Sequence, residues 1–156
     1  MLKRENAHFE NLRKIGEAYE IVRKAHEEKK QEILDTYGWE SEELKAWYEE
    51  KKDMTYPVPQ GACKAYRAWQ QSLEREANEV EMDDFLWDRE VKDFVETLRA
   101  AGIESFIYTN SSSALMENLH QLTEEGCTMD GLAKIERKNR WSEEEHINGI
   151  HFTVNA

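Results

Sequence analysis

A chain of 156 residues, 39% apolar and 35% charged, has material for one core of ordinary size and excludes two large domains. Its 33 acids against 21 bases leave a net charge of −12, which repels a phosphate backbone and argues against direct nucleic-acid binding. Five Trp, six Tyr and five Phe exclude wholesale disorder, because each buried ring offsets much of the chain entropy lost around it.

The start, Met1 to Asn6, has no apolar stretch behind its basic residues, and no apolar run is long enough to span a bilayer. A cytoplasmic protein without a membrane partner is expected. From Glu5 to about Thr36, Phe9, Leu12, Ile15, Tyr19, Val22 and Ile33 recur at helical spacing and predict one long helix that ends at Gly38. Ser41 caps a second helix carrying Leu44, Trp47 and Tyr48, which stops before Tyr56-Pro57-Val58-Pro59. A third begins near Ala62 and runs through Tyr66, Trp69, Leu73, Ala77 and Val80, and the acids from Glu79 to Asp84 then turn the chain. Asp88 is expected to cap a fourth, with Val91, Phe94, Val95 and Leu98 inward and Gly102 at its end.

Ile103 to Thr109 is short, β-branched and aromatic, and reads as a strand. Asn110 to Ser113 then caps a helix with Leu115, Met116, Leu119 and Leu122 on one face. Met129–Lys138 and Gly149–Asn155 are two more strands, joined by a long polar connection from Asn139 to Asn148. The predicted class is α+β: about four helices in residues 5–101, packed on a three-stranded α-β-α-β-β unit. A helical arm or hairpin over residues 1–60 and an α+β domain over 61–156 are expected to form one continuous fold.

Charge is uneven. Residues 1–34 carry +1, whereas Glu74 to Glu96 hold ten acids and three bases. Glu74, Glu76, Glu79, Glu81, Asp83 and Asp84 are therefore the candidate contacts for a basic partner. With Trp47, Tyr48, Trp69 and Trp87 nearby, such acids could imitate a nucleic-acid strand, although core packing accounts for the rings more simply. Adjacent acids such as Glu49/Glu50 and Glu143 to Glu145 are too polar to be buried catalytic pairs and read as surface charge.

Thr109, Asn110, Ser111, Ser112 and Ser113 form the alternative site, because a strand end, a hydroxyl-rich turn and a helix start together offer N–H donors to an anion. Ala101 to Ser111 resembles the second motif of haloacid dehalogenase-type phosphatases, where a strand-end Thr or Ser holds phosphate. That family also needs a strand-borne DxDx[TV] loop, whereas Asp83, Asp84 and Asp88 are expected to precede a helix at the wrong spacing. The histidines His8, His26, His120, His146 and His151 follow no metal-binding spacing, so no metal or other cofactor is expected. Cys63 and Cys127 read as reduced, buried thiols.

Tyr56-Pro57-Val58, Cys63 to Trp69, Phe94 to Ile103, Leu115-Met116-Glu117, Gly126-Cys127-Thr128 and Gly149 to Phe152 give a pattern that spans roughly residues 35–155. It resembles an uncharacterised family of small acidic proteins from gut Firmicutes and their mobile elements. The resemblance implies no catalytic residues, and its mobile-element setting implies an accessory or anti-defence role such as an anti-CRISPR. The leading expectation is a non-enzymatic acidic protein that occupies a basic, nucleic-acid-binding surface of a partner, a CRISPR nuclease among the candidates. The alternatives are a phosphate or small-ligand site at Thr109–Ser113 and a module that dimerises through its first helix.

Overall fold

The computed structural model describes residues 2–138 and 140–156, which form five helices and four strands. These divide into two compact units, Glu10–Val58 and Pro59–Ala156 together with the residues up to Phe9. No helix among the described residues is long and apolar enough to cross a membrane.

The first unit is a helical hairpin. Helix α1 spans Ala7–Tyr37 and α2 spans Glu42–Lys52, with the Ser41 side chain accepting from the Leu44 N–H at 3.2 Å as the N-cap. Trp47 joins them: its ring stacks on His26 at 4.3 Å, and its indole N–H donates to the His26 carbonyl at 2.6 Å. The buried side of α1 is rotated from the predicted stripe, so that Leu12, Gly16 and Tyr19 are covered while Ile15 and Val22 are exposed. The rotation follows from Tyr56, whose hydroxyl lies against Gly16 and whose ring meets Tyr19 edge-on.

In the second unit, α3 spans Gln60–Glu74, β1 Val80–Met82, α4 Asp88–Ala100, β2 Ser105–Tyr108, α5 Leu115–Glu124, β3 Cys127–Lys138 and β4 Glu144–Val154. The α+β class holds, with one strand more than predicted. The order in the sheet is β1-β2-β4-β3: β1 runs parallel to β2, and the other neighbours are antiparallel. On one face Val80, Met82, Phe106, Tyr108 and Phe152 are fully buried; Phe94 of α4 meets Phe106 edge-on, and Phe106 stacks on Phe152. Burying each such ring is worth about 1.5–3 kcal/mol, so this layer is the main stabilising core.

Several boundaries differ from the sequence reading. Helix α3 ends at Glu74 rather than near Val80, because Glu76 takes the left-handed conformation (φ 56°); its N–H bonds to the Leu73 carbonyl, and the Ala77 N–H to that of Ser72. Gly102 (φ 73°) closes α4 in the same way, without the steric cost that Glu76 bears. Released from the helix, Val80–Met82 becomes the strand that the sequence reading took for a turn. Trp87 rather than Asp88 precedes α4, and Ala114, with no side-chain cap, precedes α5. Half of the long connection expected before Gly149 is strand: β4 begins at Glu144 and pairs with β3 as far as Lys138, although Asn139 lies outside the described residues.

Helices α3 and α4 meet at Gly61, where a Cβ would lie 2.2 Å from the Glu90 carbonyl oxygen and 2.8 Å from the Phe94 nitrogen. Gly61→Ala should therefore cost about 1–3 kcal/mol, read as a lower midpoint in urea unfolding with an unchanged slope.

Candidate functional site

The two residue groups singled out in the sequence converge at the carboxyl ends of the parallel strands. Asp83 and Asp84 follow β1, and Thr109 and Asn110 follow β2. The Thr109 N–H donates to the Met82 carbonyl at 3.0 Å, and the Asn110 amide donates to that of Asp83 at 3.1 Å. Asn110 also accepts from the Ser112 N–H at 3.2 Å, which folds the serines back on the strand end. The serine side chains thus do not cap α5 as expected. Ser111 and Ser113 are exposed, and the Ser112 hydroxyl is buried without a hydrogen-bond partner.

Cations enclose this end of the sheet, and each meets an acid of the same chain. Arg75 reaches Asp83 at 3.0 Å and Glu81 at 3.6 Å, while Arg137 reaches Asp83 at 3.4 Å from β3. Arg67 pairs with Asp84 at 3.2 Å. Lys64, almost fully buried, contacts the equally buried Glu90 at 2.6 Å and donates to the Phe85 carbonyl at 2.5 Å. A cavity of about 310 Å³ opens beside them, lined by Lys64, Arg67, Gln71, Met82, Asp83 and Asp84. Arg137 keeps its Nε and Nη2 buried and unbonded, so its pairing is the least complete of the four.

Of the six predicted partner contacts, Glu81 is buried, and Glu79, Glu81, Asp83 and Asp84 are all drawn into ion pairs. Glu74 and Glu76 remain exposed at the end of α3. Trp47 and Trp69 are buried rather than presented as base-like planes, whereas Tyr48 and Trp87 are exposed. Burial pushes the Cys127 thiol up to about 11, which leaves it a poor nucleophile near neutral pH. Among the described residues no group of three or more His, Cys, Asp or Glu is placed to hold a metal ion.

The cationic half of the site went unrecognised in the sequence, because Lys64 and Arg67 sit within an amphipathic helix pattern and Arg137 was one charge among several on β3. Its only sequence signal is strand alternation, which puts Arg137 on the same face as Ile135.

The arrangement defines an α+β domain in which a parallel β-α-β unit is extended by an antiparallel hairpin, with a self-neutralised polar crevice at the unit's carboxyl end. The chain belongs to the DUF7698 family, a domain of unknown function, whose model matches residues 64–154. Comparison with curated proteins and with solved structures finds no match.

Removing one member of the buried Lys64–Glu90 pair strands the other, so Glu90→Gln should lose about 3–5 kcal/mol of stability. The double replacement Lys64→Met with Glu90→Leu should recover most of that loss in the same denaturation assay.

Proposed function

We propose that this protein is a non-catalytic, acidic interaction protein that docks on the basic, nucleic-acid-binding surface of a partner protein. One observation carries the reading: Lys64, Arg67, Arg75 and Arg137 are each bound to a carboxylate of the chain itself, so the crevice has little positive charge to offer an anion. The surplus of acids is meanwhile left at the surface, where Glu74, Glu76, Glu96, Glu104, Glu117 and Glu124 are exposed. Such a surface favours a basic groove by long-range attraction and repels DNA or RNA. The resemblance to proteins of mobile elements directs the proposal toward cytoplasmic anti-defence proteins and a CRISPR nuclease as partner.

Competition tests this. Titrated into a guide-loaded CRISPR nuclease with labelled target duplex, the protein should displace the duplex, less effectively as salt is raised. Reversal of the exposed acids, Glu74→Lys with Glu76→Lys, should weaken displacement by about tenfold or more. No displacement, or displacement indifferent to the reversal, contradicts the reading.

A second reading places a phosphate-class ligand at Thr109–Ser113. It is favoured by the meeting of this turn with Asp83 and Asp84 at the ends of parallel strands, where open sheets of this kind commonly bind ligands. The strand preceding Asp83 also removes one departure from the phosphatase pattern; the adjacent acids in place of DxD remain, and so does the lack of that family's later lysine motif. Calorimetric titration with inorganic phosphate should show saturable heat that is lost in Thr109→Val if this reading holds, and none if the crevice is purely structural.

A further inference from the structure

The sheet face opposite the aromatic core carries a second polar cluster, distinct from the crevice. His151 of β4 stands at its centre, with Nε2 2.7 Å from the Glu79 carboxylate and Nδ1 2.5 Å from that of Asp130. Glu79 lies just before β1 and also accepts from the Ser105 hydroxyl at the start of β2, at 2.8 Å. Asp130 sits where the register of β3 and β4 shifts, between Met129 and Gly131, and accepts from Thr153 at 2.5 Å. One imidazole therefore connects β2, β3 and β4 with the residue that precedes β1.

Its protonation follows from the geometry. Ionised carboxylates only accept hydrogen bonds, and a neutral imidazole has a single N–H; with an acid on each ring nitrogen, both must carry a proton. The charged groups facing the ring are Glu79 and Asp130; from β2 it meets Ser105 through Glu79, and Ile107 as its register partner, neither of which titrates near neutrality. Beyond Glu79, a cavity of about 540 Å³ brings Lys3, Glu5, His8 and Glu104. A second, of about 330 Å³, brings Arg75, Glu76, Glu81, Lys134, Glu136 and Arg137. Arg75 and Arg137 are engaged by Asp83, so His151 is the cation bound to Glu79.

We propose that His151 is a proton-operated clasp: as an imidazolium it ties the start of β1 to the irregularity in β3, and loss of its proton leaves only one of the two carboxylates with a ring donor and loosens the root of the β3–β4 hairpin. The hydrogen bonds that its ring donates to Asp130 and then to Glu79 raise the His151 pKa above the ordinary 6.5. A raised folded-state value means that the clasp's stabilisation is fully present below about pH 6.5 and is lost as pH climbs through the folded value. The hairpin's exposed Met129 and Leu132 flank this irregularity, so the clasp governs how an apolar surface is presented. The proposal is independent of the partner-docking reading.

The test is imidazole ¹⁵N NMR on the full chain across pH, with hydrogen exchange at the amides of residues 129–132 followed in parallel. The His151 titration midpoint should lie above 6.5, with both ring nitrogens protonated below it. After correction for intrinsic chemistry, exchange at these amides should quicken by about tenfold above the midpoint. His151→Gln should exchange fast at every pH, and Asp130→Asn should lower the His151 midpoint; if the first variant fails to fold, the second and the parent's own titration still decide. A midpoint at or below 6.5, or exchange that does not change across it, overturns the proposal.

Discussion

A carboxylate drawn into a protein must meet a cation or hydrogen-bond donors there, and this constraint organises the second unit. Its parallel β-α-β core brings Glu81, Asp83 and Glu90 to the edge of an apolar layer, where an unpaired charge would be intolerable. Lys64 from α3, Arg75 just after it and Arg137 from β3 supply the partners, which ties the helix layer and the hairpin to the end of β1. The packing of aromatic rings stabilises the sheet, while the ion pairs fix which edges meet.

The same constraint divides the acids by role. Those near β1 are consumed in holding the domain together, and their cations are unavailable to a passing phosphate. Those on the outer faces of α4 and α5, with Glu74 and Glu76 at the end of α3, face solvent and carry the surplus. An acidic stretch in a sequence is thus not automatically an acidic face: four of the six residues first marked for a partner are engaged in the fold.

Much of the fold was legible. The five helices, β2, β3 from Met129 onward and β4 from Gly149 onward follow from apolar spacing and from Gly38, Gly102 and Gly126. What was missed has physical causes. Val80 falls at helical spacing from Leu73 and Ala77, and the residue that ends α3 is Glu76, whose left-handed conformation carries none of glycine's signal. The first part of β4, Glu144 to Asn148, is polar and largely exposed, so it has little apolar side to reveal it. At the site the turn residues were recognised as a group, but their meeting with Asp83 required β1. The His151 cluster was out of reach, because Glu79 lies 72 positions away in the chain.

The central claim, that acids of similar sequence context divide into structural and free ones, is tested most directly by neutralising them one at a time and recording thermal unfolding. Asp83→Asn and Glu81→Gln should each lower Tm by about 2–4 °C or more, whereas Glu74→Gln and Glu76→Gln should change it by less than about 1 °C. Equal shifts across the four variants would contradict the account.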